Sequence, residues 1–466
     1  MASDTPSVEA GLLETNKDHA APAAGQPWPR PAVAWYAVVV FAIVLMLGEL
    51  DRGIIGLLVQ PIKRDMHLSD LQISYLIGLA PVIFYAAIGI PMARLVDSRK
   101  RNIVLAVGMG VGAVMTTVCG LAQNFWQLFI ARVTVGGGGA INGPGTYSMM
   151  ADFFPREKLP RAIAIIQIGY ISGGGASLIL GAFVIGAIAG VAPIHFMGLL
   201  IHNWQLVFIL VGLPGLIGSV LLLTVPEPAR RGTMNQGKST KALPFTGVVG
   251  YLFRHWRVYG PMFFGLGFSA LETYGVGAWR PTFFIRTFGW TAEKTGLITG
   301  VCQIGAALIG LVLSTMLTEK LAKKHDDANM RVLAIFYTAT PVFAVLGPLM
   351  PNPWLAVLFA SLGYMCGIGG AVPQNAALQS ITPNEMRGQV TALYLFVFTV
   401  IGNGLGPSFI AAITDLILKD ESLIKYGLAG SALIMNPIAA VLIWLGVRAY
   451  GREIAVVKAR EAQGLT

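Results

Sequence analysis

Five ionisable side chains stand in stretches that are otherwise apolar or glycine-rich: Glu49, Asp51 and Arg52 in LGELDRGIIG, Arg132 in ARVTVGGGGA, and Glu272 in GFSALETYG. An arginine keeps its charge in any environment a protein offers. A carboxyl withdrawn from water without a partner instead holds its proton toward neutral pH and becomes able to exchange it. Three carboxyls against two guanidinium groups cannot all be paired as ions, so one is expected to carry a proton. The chemistry that suits this set is proton exchange coupled to ion-pair exchange. Asp51 trades its arginine, Arg52 or Arg132, for a proton, and the freed guanidinium fork grips an anionic group. Glu49 is three residues from Arg52 and shares its helix face, which makes it a second proton carrier or a local counter-ion. Glu272 divides between proton carrier, ligand contact and neutral hydrogen-bonded acid. For Asp51 the plain alternative is a permanent buried pair with Arg132 that only ties helices together.

Other chemistry finds no support in the chain. Cys119, Cys302 and Cys366 fall in apolar runs at no metal-ligand spacing, and the six histidines lie in loops or at helix ends. No GxxxxGK[ST] motif occurs, so no ATPase is expected. No nucleophile, metal cluster or cofactor motif stands out, and the expectation is a protein that is not an enzyme and needs no cofactor.

The charges need elements that hold them away from lipid. Of 466 residues, 55% are hydrophobic and 12% charged, against roughly 25% charged in a soluble domain. Apolar runs of membrane-spanning length recur at 33–59, 71–95, 103–121, 125–150, 161–190, 205–225, 258–284, 296–317, 331–350, 354–374, 391–413 and 428–449. The expected fold is an all-α membrane protein of twelve transmembrane helices. A charged side chain at the bilayer centre costs ~2.5–3.5 kcal/mol, so the five groups should face a cavity or one another. Asp51 lies nine residues before Gln60 and Arg132 seven after Phe125. Both therefore sit ~10–14 Å from the outer boundary and can meet.

Basic residues near helix ends are retained on the cytoplasmic side. With both termini inside the cell's inner (plasma) membrane, inner loops and tails hold 24 of the 33 Lys and Arg, and the outer side holds Arg280 and Arg286 among seven. The net charge of +10 is then an orientation signal that calls for no nucleic acid. Residues 1–32 lack the basic start and short apolar core of a cleavable signal and are expected to form a disordered cytoplasmic tail.

The longest hydrophilic interruption between spans divides them six and six. It implies a first half at 33–226, a cytoplasmic linker at 227–257, a second half at 258–450 and a tail at 451–466. HLSDLQISYLIG (67–78) aligns with FGWTAEKTGLITG (288–300), carrying Gly78 onto Gly300, an offset of 222 residues. Ser69 then matches Thr291 as a candidate helix N-cap, Asp97 matches Glu319, and Glu272 falls opposite Leu50. Two pseudo-symmetric six-helix halves with a site between them near the midplane are the architecture of alternating access. Glycine clusters at 136–139, 172–181, 367–373 and 402–407 let helices approach closely, and Pro144, Pro373 and Pro407 are expected to loosen theirs. Asn142, Tyr274 and Asn403, each beside a glycine or an intramembrane acid, are the preferred polar cavity residues.

RLVDSRKR, between the second and third spans, resembles the loop signature of the major facilitator superfamily, and Arg132 resembles its fourth-helix arginine. ELDRGIIGLLVQPIKRDMHLSD, GLAQNFWQLFIARV, VPEPARRG and MRGQVTALYLFVFTVIGNGLGPSFIAAITD resemble the Spinster-like branch, across 33–450. The resemblance implies a proton-coupled secondary transporter. Its expected partners are the bilayer, protons, and an amphipathic, anionic small molecule or a lysolipid, with a monomer as the working unit. A proton symporter for small carboxylates is the alternative, and a receptor that binds without transport is the rival of another class. The resemblance also assigns Asp97, with Arg99 and Arg101, to a cytoplasmic latch, in which Glu319 is the mate of Asp97. One departure stands out: the branch carries a fourth-helix motif resembling GVGEAG, and its glutamate falls at Gly139 here. Glu49 is the expected substitute.

Overall fold

The computed structural model describes residues 28–155, 157–196, 198–230, 245–383 and 386–462. The chain is built from long helices: α1 Pro31–Met66, α2 70–98, α3 Arg101–Cys119, α4 Phe125–Phe153, α5 Leu159–Ile188, α6 Asn203–Thr224, α7 Trp256–Phe288, α8 Ala292–Ala322, α9 Ala328–Leu349, α10 Pro353–Ile381, α11 Arg387–Leu418 and α12 Ile424–Ala462. Among the described residues, ten helices are long and apolar enough to cross a membrane. The remaining two long helices, α4 and α7, hold Arg132, Glu272 and much of the intramembrane glycine. The expected N-terminal tail lies outside the described residues up to 27, as do 231–244 of the expected linker and 463–466 of the C-terminal tail. A short helix, Phe245–Arg254, leads from the linker into α7. A two-stranded hairpin, β1 Ile194–Phe196 and β2 Leu199–Ile201, joins α5 to α6.

The repeat is visible in the caps. Ser69 starts α2 with a capping box, its hydroxyl accepting from the Gln72 N–H, and Thr291 starts α8 by accepting from the Lys294 N–H. The preceding helices both end in a left-handed residue, His67 (φ 53°) after α1 and Gly289 (φ 65°) after α7. These two positions also differ by 222, and only the second has the residue that adopts this conformation freely.

Three helices are not regular. α1 is two α-helical pieces, Pro31–Gly48 and Leu50–Met66, meeting at Glu49. α2 contains a π-helical segment, Tyr75–Leu79, and α11 contains two, Thr399–Leu405 and Ile413–Leu418. Pro407 has no N–H for the Asn403 carbonyl four residues back, which accounts for the irregularity there.

Helices α1–α6 and α7–α12 form two halves. Both described chain ends, the end of α6 and the start of α7 lie on one face, the terminal face, and the turns into α2 and α8 lie on the far face. One buried apolar cluster joins the halves toward the far face, with Ile54, Leu58 and Ile77 against Trp279, Phe283 and Ile410. Toward the terminal face each half keeps its own core, around Phe41 and Phe153 in the first and Leu333 and Leu378 in the second. The two seams between halves are lined by glycine. A Cβ on Gly78 of α2 would lie 2.6 Å from the Asn403 carbonyl oxygen of α11. Gly175 of α5 and Gly300 of α8 each face the other's carbonyl, and a Cβ on either would come within 2.6 Å of it. Around the outside, valines at 107, 111 and 114 of α3 and Ile217, Val220 and Leu223 of α6 remain exposed, as a lipid solvent requires.

Candidate functional site

The charges of the first helix lie at its break. Glu49 takes φ −94° and ψ −7° between the two pieces of α1, just after Gly48. Ser177 of α5 donates its hydroxyl to the Leu50 carbonyl beside the break. Asp51 and Arg132 meet as their depths require: Arg132 Nη1 donates to Asp51 Oδ2 at 2.7 Å. Arg132 is fully buried, and its Nε donates to the Leu76 carbonyl at 3.2 Å, within the π-helical segment of α2. One guanidinium thus links the break in α1, the irregular turn of α2 and the shaft of α4.

Arg52 goes to Glu49. Its Nη1 donates to both carboxylate oxygens, at 2.9 and 3.0 Å. This pair is the more open of the two, with Arg52 33% and Glu49 18% exposed at the side chain. Tyr170 of α5 and Tyr274 of α7 stand within electrostatic reach of Arg52, so the second half contributes to the surroundings of the first half's ion pair. Tyr274 also packs its ring edgewise on Phe398, centroids 5.9 Å apart. Gln303 of α8 donates to Tyr364 of α10 at 3.3 Å. Asp51, Arg52 and Asn142 line a cavity of about 60 Å³ inside the first half. There Asn142 Nδ2 lies 3.6 Å from Met109 Sδ, and its Oδ1 is buried without a partner.

Glu272 is buried in α7 beside Asn436 of α12, and its surroundings correct the charge count. Arg280, placed by sequence among the outer basic residues, is 8% exposed and lines a second-half cavity with Glu272. α7 continues to Phe288, so Arg280 sits two turns inside its end. Among the described residues the intramembrane arginines then number three against three acids, and parity alone no longer requires a protonated carboxyl. The signal was available: Arg280 lies inside the expected span 258–284, eight residues from Glu272 and on the same helix face.

The far face is closed by a polar lock between the halves. Asp70, at the start of α2, accepts from Arg286 of α7 at 2.6 and 2.8 Å and from Lys63 at 2.6 Å. Lys63 also pairs with Glu421. Asp415 accepts from the Leu71 N–H at 2.8 Å, and Ser74 and Ser408 hydroxyls meet at 3.0 Å. Sequence reasoning missed this lock, because each of its charged members reads singly as a charge near a helix end.

A family model described as Major Facilitator Superfamily matches residues 41–407. The chain belongs to the major facilitator superfamily. It is 27% identical over 91% of its length, and 95% of the relative's, to an MFS-type efflux pump of Mycolicibacterium smegmatis. It is 24% identical to protein spinster homolog 3 of Danio rerio, covering 83% of this chain and 78% of that one. A solved bacterial homolog of the human lysosomal transporter Spinster, inward-facing and unoccupied, superposes with a TM-score of 0.71 at 22% identity, covering 92% of this chain and 98% of that one. The chain is thus a membrane transporter of that superfamily, similar to Spinster proteins, and the superfamily is one of transporters rather than enzymes.

In this major facilitator superfamily chain the expected latch residues are divided. Asp97 lies in α2 near its terminal-face end, and its side chain is outside the described residues. Arg99 is exposed, and its carbonyl accepts from Arg230. Arg101 is buried and is held within its own half: Nη1 donates to Asp152 of α4 at 2.5 Å and Nε to Glu227, after α6, at 2.8 Å. Glu319 is exposed, with no ion pair among the described residues. Asp152 and Glu227 are the partners that sequence reasoning missed. Asn403 enters the site region through its backbone, at the Gly78 seam.

Proposed function

We propose that this transporter is proton-coupled and moves an amphipathic, anionic organic solute or lysolipid by alternating access, as a monomer with both termini and the linker in the cytoplasm. The observation that carries the reading is the double ion pair at the break of α1. Asp51–Arg132 and Glu49–Arg52 lie side by side where a helix is interrupted, in a molecule whose halves share a buried apolar cluster toward the far face. Broken helices at the midplane are where secondary transporters bind solute and coupling ion.

The two pairs suit different tasks. Arg52 is the more open guanidinium and is flanked by tyrosines of both halves, so it suits an anionic head. Asp51 is the proton carrier and Glu49 the second, in place of the glutamate that Gly139 lacks. A proton on Asp51 weakens its hold on Arg132, whose other bond is to Leu76, two residues before the Gly78 seam. Protonation is thereby linked through one side chain to the helix contact that closes the far face. Asp97, Arg99, Arg101 and Glu319 act at the terminal face when the other state closes it. Similarity to an efflux pump favours export.

The test is a solute panel on purified protein in sealed proteoliposomes with an imposed pH gradient: lysolipids, sphingoid compounds, hydrophobic acids and small carboxylates. Gradient-driven accumulation of an amphipathic anion supports the reading. Movement of small carboxylates alone would replace it by the symporter alternative, and saturable binding with no movement of any bound solute would leave a receptor.

A further inference from the structure

We propose that the Arg280 cavity of the second half binds a compact anion, either a halide or the phosphate head of an amphiphile. Among the described residues three arginines are more than nine-tenths buried: Arg101, Arg132 and Arg280. Arg101 and Arg132 each hold a carboxylate, at 2.5 and 2.7 Å. Among the described residues Arg280 has no such partner: its Nε is buried without a hydrogen bond, and its guanidinium carbon lies 5.4 Å from the centre of the Tyr364 ring. Glu272 acts on it only through space, without an ion pair; a guanidinium cannot shed its charge, and a buried charge with no direct counter-ion is costly to a fold. A bound anion relieves it.

The cavity has the shape and lining for such a ligand. It is lined by α7, α9, α10 and α12, holds about 40 Å³, and is walled by Phe283, Phe284 and Phe343 with Thr273 as a hydroxyl donor, the Thr340 hydroxyl being given to the Phe336 carbonyl. That space suits a single compact group. Glu272 lines the same cavity beyond ion-pair distance of Arg280. As a carboxylate it repels an anion, and as an acid it donates a hydrogen bond to one. Binding is therefore accompanied by a proton on Glu272, with Tyr364 the other titratable group facing Arg280. The site lies inside the second half, apart from the Asp51 and Glu49 pairs, and the inference holds whichever solute is carried.

The test is equilibrium binding of radiolabelled chloride, and its competition by dodecyl phosphate, to the full chain in detergent micelles without other small anions. The wild type is expected to bind saturably. Arg280→Gln should bind at least tenfold more weakly, yet unfold at no lower temperature than the anion-free wild type, since it removes an unpaired charge. Glu272→Gln should bind severalfold more tightly. Chloride bound and not displaced by dodecyl phosphate supports a resident ion; displacement, or binding of dodecyl phosphate alone, supports an amphiphile head. Anion binding by Arg280→Gln equal to the wild type, or none by the wild type, would overturn the proposal. Should Arg280→Gln not fold, an unchanged affinity in Glu272→Gln overturns it equally.

Discussion

Arg132 holds the acid at the break of α1 with one nitrogen and a carbonyl of α2 with another, while its Nη2 is buried without a partner. That arrangement makes Asp51 the compensating charge for a group that cannot be neutralised. Asp51→Asn should therefore cost about 3–5 kcal/mol of stability by stranding the guanidinium. The double variant Asp51→Asn with Arg132→Gln should recover much of that loss while remaining inactive. Thermal unfolding beside vesicle transport separates the two effects, and a double variant as unstable as the single one would contradict this account. The pairing was legible because helix depth is counted from sequence by rise per residue, and Asp51 and Arg132 came out level. Arg280 was misplaced because nearness to a helix end was taken as exposure, whereas α7 runs past it to Phe288.

The regular helices and their caps follow from apolar runs and from Ser69 and Thr291. The break at Glu49 does not, since the run 33–59 continues through it and only Gly48 marks the place. The π-helical segment before Pro407 was marked by that proline, whereas the one in α2 coincides with the Arg132 bond to Leu76 and no local pattern announces it. Elements give two predictions. His67 adopts at φ 53° what Gly289 adopts freely, so His67→Gly should raise stability by about 1 kcal/mol in a denaturation series. At the seams, Gly78→Val and Gly300→Val would drive side chains into carbonyls 2.6 Å from the new Cβ. Both should hold the far face apart and lower transport at least tenfold with the protein still folded. Gly305→Ala, where a methyl meets open space, should leave transport intact. Equal rates in all three would remove the seams from the mechanism.

The whole molecule is one core toward the far face and separate cores toward the terminal face, locked by Asp70 with Arg286. Six-and-six organisation was legible from the 222-residue repeat, but which face is closed is a property of the conformation and is written in no single half. Asp70→Asn should weaken the lock and populate the opposite state. Spin labels on α2 and α11 at the far face should then report longer distances than in the wild type, and unchanged distances would make the lock incidental. The central claim is that the charges at the break of α1 couple protons to solute movement. Its most direct test is solute-driven proton flux in proteoliposomes holding a trapped pH dye, for the wild type, Asp51→Asn and Glu49→Gln. The account predicts flux in the wild type, none in Asp51→Asn and a strong loss in Glu49→Gln. Flux in Asp51→Asn equal to the wild type would return that residue to a structural pair and contradict the claim.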